Sequence, residues 1–196
     1  MPAIGAVAVY CGSRPGADPA FADAARTTGE TLARRGIAVV YGGGSVGLMG
    51  LVADAALEAG GEVHGVITRA LLDKELQHRE LTTLAVVDTM HERKAAMADR
   101  ADAFVALPGG FGTFDELFEV ITWTQLGIHD KPCGILDVNG FYAPLVEMMD
   151  DATARGFVPV EHRDSVLVDT SVGRLLDRME DWRPVRAGRR LDRDDR

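Results

Sequence analysis

Pro108-Gly109-Gly110-Phe111-Gly112-Thr113-Phe114-Asp115-Glu116-Leu117-Phe118-Glu119 is the stretch that decides the fold of this chain. The residues before it, Ala103-Phe104-Val105-Ala106-Leu107, form a short apolar run, the pattern of a parallel strand buried on both faces. Behind it Phe114, Leu117, Phe118, Ile121 and Leu126 recur at helical spacing, so a helix is predicted to begin near Thr113. A strand, a glycine turn and a helix start together make an anion site. Glycines allow close backbone approach, and the free N–H groups and the helix dipole both favour a phosphate. Asp115, Glu116 and Glu119 in the first turns have two readings. They are dipole partners, or an acid or base held beside the bound phosphate.

Outward from this stretch the same alternation repeats. Strands are predicted at 4–10, 37–41, 62–67, 81–87, 103–107, 131–138 and 166–168. Helices are predicted at 21–35 with Gly36 as its C-cap, 46–59, 90–100 with Asp88 or Thr89 as its N-cap, 140–156 and 171–181. The polar segment 68–79 reads as a short helix and loop. Strands alternating with helices specify a parallel sheet covered on both faces, an α/β, Rossmann-like, doubly wound architecture with right-handed crossovers. Ligands of such sheets sit at the carboxyl ends of the strands, where the strand order switches. The loops at 11–16, 42–44 and 109–112 all fall at carboxyl ends, so distant residues can line one crevice.

At 196 residues the chain fits one domain, read as 1–182, and 46% hydrophobic content is ordinary for a globular protein. Residues 183–196 hold six arginines and three aspartates with little to bury, and read as a frayed tail. The net charge of −9 argues against general nucleic-acid binding. No apolar run approaches the ~20 residues of a membrane span. The start lacks a basic leader, so a cytoplasmic location is expected. Cys11 and Cys133 show no metal-ligand spacing and no disulfide framework.

Tyr41-Gly42-Gly43-Gly44-Ser45-Val46-Gly47-Leu48-Met49-Gly50 is not in the usual dinucleotide phase, and 108–116 lacks the Lys-Ser/Thr of a P-loop. Gly43, Ser45 and Met49 are candidates to face a ligand; the alternative for 42–44 is a tight turn beneath a closely packed helix. In Met90-His91-Glu92-Arg93-Lys94 the two cations oppose the dipole of a helix start, and a broken local rule often marks a site. Arg93 could clamp a phosphate or ribose and Lys94 add charge, against the alternative of a solvated face. Glu116 and Glu119 share a helix face, and a carboxylate there can stabilise an oxocarbenium-like state and orient water. Thr122 stands near that face, as apt to bond its own helix as a ligand. His91 reads as a surface residue, Cys11 as a small buried one, and Trp123 and Tyr142 as core or interface. Asp137 ends a strand and could face the crevice.

The 108–116 segment resembles the P-G-G-x-G-T-x-x-E signature of the LOG ("Lonely guy") family, cytokinin riboside 5′-monophosphate phosphoribohydrolases long mislabelled as lysine decarboxylases. Val9-Tyr10-Cys11-Gly12-Ser13, the 41–50 loop, Met90-His91-Glu92-Arg93-Lys94 and residues 119–129 resemble further family segments, so the likeness covers about residues 4 to 180. The resemblance implies that Gly109, Gly110, Gly112 and Thr113 hold the nucleotide phosphate. It makes Arg93 and Glu116 the catalytic pair, and Glu75, Lys94 and Thr122 lining residues. The surroundings of Glu75, Gln77-His78-Arg79, depart from the plant-like pattern. The implied partner is a small-molecule nucleoside 5′-monophosphate and the implied assembly a homodimer, with no metal, organic cofactor, nucleic acid or membrane. Rival expectations are a general AMP nucleosidase and a non-catalytic nucleotide or cofactor carrier on the same fold.

Overall fold

The computed structural model describes residues 4–72 and 77–185. Seven parallel strands form one sheet. In chain order they are β1 Ala6–Tyr10, β2 Ala38–Tyr41, β3 Val63–Thr68, β4 Thr83–Val87, β5 Ala103–Ala106, β6 Cys133–Leu136 and β7 Val166–Asp169. Their order across the sheet is β4-β3-β2-β1-β5-β6-β7. The chain winds outward from β1 to β4, then returns to β5 on the other side of β1, so the switch point lies between β1 and β5. Tyr10 pairs with Ala106 there, which brings the loops after β1 and β5 side by side.

The helices are α1 Pro19–Arg34, α2 Gly47–Glu58, α3 Arg69–Leu72, α4 Met90–Arg100, α5 Phe111–Leu126, α6 Ala143–Ala154, α7 Val160–Asp164 and α8 Val172–Asp181. Strand side chains alternate between faces. Val7, Val9, Val39, Tyr41 and Val105 pack with α1, α2 and α8. Ala8, Tyr10, Val40 and Phe104 pack with α4 and α5. This two-sided burial is why the strands read as unbroken apolar runs rather than alternating ones.

Local chemistry sets the helix ends. Thr89 caps α4, its hydroxyl accepting from Glu92 N–H while the Glu92 carboxylate accepts from Thr89 N–H. After α1 the chain turns on Gly36 at φ +68°, with Gly36 N–H on Ala33 O and Ile37 N–H on Leu32 O, the paired bonds of a Schellman stop. Three expectations shift. α5 begins at Phe111 rather than near Thr113, because Gly110 in an extended conformation already serves as the N-cap. Residues 160–164 form a short helix that sequence periodicity missed, being barely more than one turn. Residues 140–142 are not helical, and α6 starts at Ala143 with Pro144 in its first turn. The 186–196 part of the arginine-rich segment lies outside the described residues.

α1 packs closely on α2. A Cβ on Gly29 would stand 2.2 Å from Val52 O. Gly29→Ala therefore forces two helices apart, and we expect a loss of ~1–3 kcal/mol, read as a lower denaturant midpoint. An unchanged midpoint would show that the α1–α2 contact yields freely.

Candidate active site

Three loops at the carboxyl edge of the sheet are strapped together by backbone bonds. Gly12 N–H donates to Pro108 O at 3.1 Å, and Leu48 N–H donates to Gly12 O at 2.9 Å. The close approach needs glycine: a Cβ on Gly47, at φ +62°, would stand 2.3 Å from the Ser13 carbonyl carbon. Above these straps is a cavity of about 400 Å³, lined by Gly12 to Gly16, Phe21, Leu48, Pro108 to Phe111 and Phe141. The start of α5 forms its wall. The N–H groups of Phe111, Gly112 and Thr113 have no acceptor within the helix, the first intrahelical bond being Phe114 N–H to Gly110 O at 3.1 Å. A Cβ on Gly110 or Gly112 would meet nothing within 4 Å, so the approach to these donors is open. Gly109 instead packs on Thr113, whose Oγ1 would lie 2.1 Å from an added Cβ.

Glu116 does not line that cavity. It stands about 6 Å further along the α5 axis than Gly112, facing α4. There its Oε1 accepts from Arg93 Nη1 at 3.2 Å, with only 8% of the Arg93 and 12% of the Glu116 side chain exposed. Arg93 is not a free clamp. Its Nε donates to Val66 O at 3.0 Å and its Nη2 to Gly42 O at 3.1 Å. The guanidinium is thus fixed to the carboxyl ends of β2 and β3, and the expectation that it grips a phosphate gives way to one in which it orients Glu116. Gly42 must be glycine for this, since a Cβ would lie 1.9 Å from Nη2.

Burial raises the Glu116 carboxyl from its ordinary 4.5 to about 7, against the pull of Arg93 and Lys94 and with a push from Asp115 and Glu119. Tyr10, at the end of β1, and Cys11 after it are buried near enough to feel the charge of the same carboxyl. Burial, with the Glu116 charge second, holds both well above their usual values and so neutral. Lys94 Nζ lies 3.0 Å from Asp115 Oδ2 and 3.0 Å from Glu119 Oε1. Burial opposes the Lys94 charge, but the bonds to Glu119 and Asp115 outweigh it and raise its pKa.

The remaining sequence candidates sort differently. Thr122 is exposed, and its hydroxyl donates to Phe118 O at 2.7 Å on its own helix. Met49 is buried beside Gly42, while Ser45 borders a separate polar cavity with Asp54, Gln77 and His78. Gly43 turns at φ +79°. Asp137 does not reach the crevice; its Oδ1 accepts from Tyr142 N–H at 2.7 Å. His91 is exposed, and Cys11, Trp123 and Tyr142 are buried. Glu75 lies outside the described residues. Sequence reading missed the carbonyls of Gly42 and Val66 as the seat of Arg93, and the buried His78 bonded to Asp54 at 2.8 Å. A cation set against the dipole at a helix start was the available signal for the former. Among the described residues no group of His, Cys, Asp and Glu could hold a metal ion, and no helix is long and apolar enough to cross a membrane.

These features place the chain among Rossmann-like α/β proteins with their polar groups gathered at the switch point of the sheet. Sequence comparison narrows the class. The family model described as "Possible lysine decarboxylase" matches residues 49–179. The probable cytokinin riboside 5′-monophosphate phosphoribohydrolase LOGL1 of Oryza sativa subsp. japonica is 48% identical over 178 residues, covering 91% of this chain and 80% of that protein. The cytokinin riboside 5′-monophosphate phosphoribohydrolase LOG5 of Arabidopsis thaliana is 46% identical over 182 residues, covering 93% and 80%. The chain belongs to this family, the LOG phosphoribohydrolases. Among solved structures, the molybdenum cofactor binding protein from Rippkaea orientalis superposes with a TM-score of 0.70 at 18% identity, covering 92% of this chain and 98% of that one. The molybdenum cofactor carrier protein of Chlamydomonas reinhardtii does so at 0.68 and 19%, covering 90% and 96%. At such identities the likeness is one of fold.

Proposed function

We propose that this chain hydrolyses the N-glycosidic bond of cytokinin riboside 5′-monophosphates, N6-substituted adenosine monophosphates, releasing the free base and ribose 5-phosphate. The observation that carries the reading is the buried Arg93–Glu116 pair, one helical turn from the open N–H groups of α5. The phosphate docks on Gly110, Gly112 and Thr113, with Gly109 shaping the turn. The ribose then spans the turn between those donors and Glu116. As the C1′–N bond breaks, the Glu116 carboxylate stabilises the cation on C1′ and accepts a proton from the attacking water. The base leaves with the bonding electron pair and takes up a proton. Arg93 holds the carboxylate in place, and Lys94, Glu75 and Thr122 border the nucleotide. Nothing beyond side chains and water is asked for, so we propose no metal or organic cofactor. Residues 1–182 act as one domain, in a cytoplasmic homodimer; for the assembly and the location, resemblance to the family is the support.

The test is product analysis with isopentenyladenosine monophosphate and AMP in parallel, in chelator. Free base and ribose 5-phosphate from the first, at a higher kcat/KM than from AMP, is the expected result. Equal ratios would make the chain a general nucleotide hydrolase, and binding without cleavage would make it a carrier.

Two further outcomes are expected. Gly112→Asp places a carboxylate over the free N–H groups in a position with room for it. KM should rise by ~10–100-fold, the worth of one or two charge-assisted hydrogen bonds, while thermal stability holds or rises because an acid suits a helix start. An unchanged KM would move the phosphate elsewhere. Second, kcat/KM should fall about tenfold per pH unit below a midpoint near 7 and level off above it, because only ionised Glu116 serves. The same group acts on stability with a definite sign. Its folded value lies above the unfolded one, so its contribution is complete below about 4.5 and is lost as pH rises through about 7.

A further inference from the structure

The contact between α4 and α5 holds two cations and three carboxylates. The inner pair is Arg93 with Glu116. The outer set is Lys94, 3.0 Å from both Asp115 and Glu119. One carboxylate is in excess, and the three are not equally placed. The Asp115 side chain is 60% exposed, so water screens it. The Glu119 side chain is 19% exposed, and its Oε2 is buried with no hydrogen-bond partner among the described residues. Lys94 satisfies one Glu119 oxygen and leaves the other facing the protein interior, where a charge is felt most strongly. Glu119 and Glu116 are three residues apart, on one helix face.

We propose that Glu119 is a positioning residue of this site: it holds Lys94 against α5 and, as the poorly screened third carboxylate, governs when Glu116 gives up its proton. Asp115 shares Lys94 at the same distance, and by charge alone it pushes on Glu116 harder than Glu119 does; its 60% exposed side chain, however, lets water and salt screen that push, so its influence in solution is the smaller. The charged and titratable groups within electrostatic reach of Glu116 are Arg93 and Lys94 from α4, Asp115 and Glu119 from α5, and Tyr10 and Cys11 from β1 and the residue after it. Tyr10 and Cys11 remain neutral through the working range, so Glu119 and Lys94, both half-buried, are the charges screened least by water that move the Glu116 balance once Arg93 is paired. Removing Glu119 brings the cluster to two cations and two carboxylates, and Glu116 then ionises in more acid solution. Removing Lys94 does the reverse.

The inference rests on the proposed hydrolase only for its kinetic arm, and the decisive readout is independent of it. The Glu116 side-chain carboxyl is titrated by carbon-13 NMR in the full chain without substrate, its resonance assigned by its loss in Glu116→Gln. We expect the midpoint near 7 to fall by ~1 pH unit in Glu119→Gln and by distinctly less in Asp115→Asn. It should rise in Lys94→Met, which keeps the test open if Glu119→Gln does not fold. The acid limb of kcat/KM should follow the carboxyl in each variant, an effect that loss of packing alone would not produce in opposite directions. An unmoved or raised midpoint in Glu119→Gln, an equal shift in Asp115→Asn, or a fall in Lys94→Met overturns the proposal. A midpoint that moves as stated in a protein that cleaves no nucleotide supports the role of Glu119 and refutes the hydrolase reading instead.

Discussion

Glu116→Gln is expected to lower kcat by ~10²–10⁴ with KM for the nucleotide nearly unchanged. The substitution is close to isosteric, and the amide oxygen can still accept from Arg93 Nη1, now 3.2 Å from Oε1. The α5 donors that would hold the phosphate lie a turn away and are untouched. What disappears is a negative charge beside the atom where positive charge would develop, together with a carboxylate able to take a proton from water. Because the loss is confined to the transition state, kcat and kcat/KM fall together. The acid limb near pH 7 should vanish in the same variant. Near-normal turnover would remove Glu116 from the mechanism.

Arg93→Met should be the most destabilising single change at the site. It leaves a carboxyl buried without its cation and strips donors from Gly42 O and Val66 O. Breaking one partner out of a buried pair costs ~3–5 kcal/mol. In a domain of this size that is a fall in Tm of roughly 10 °C. Activity should be lost as well, since Glu116 would be neutral at working pH. Adding Glu116→Leu to Arg93→Met should recover most of the stability and none of the turnover, because an apolar pair of similar volume pays no desolvation cost. If Arg93→Met melts like the native protein, the guanidinium is not the strut described above. If the double variant melts as low as the single, the loss came from the orphaned carbonyls rather than from the unpaired carboxyl.

Much of the α4–α5 contact was visible in the chain itself. Arg93 and Lys94 broke the rule that cations avoid a helix start, and both proved to be neutralised by tertiary partners. Glu116 and Glu119 fell on one face because helical periodicity puts them there. Asp137 and Thr122, by contrast, bond close by in the chain. Each had a local bond to make, to Tyr142 N–H and to Phe118 O, and short polar side chains commonly take the nearby backbone partner.

By itself the sequence determined the alternation of strand and helix, the glycine stop at Gly36, and a cap at Asp88 or Thr89, of which the folded chain uses Thr89. All of these depend on side-chain periodicity and on turn chemistry within a few residues of each position, and these are written in the chain order. Only the tertiary structure decided what Arg93 does, because its two carbonyl partners lie 27 and 51 residues away and come together through the pairing of β2 with β3. It alone decided that Glu116 is buried enough to hold its proton toward neutral pH, and that Glu119 keeps one oxygen unpaired. Charge in a protein is governed by desolvation and by distances across elements, and neither quantity exists until the sheet is assembled.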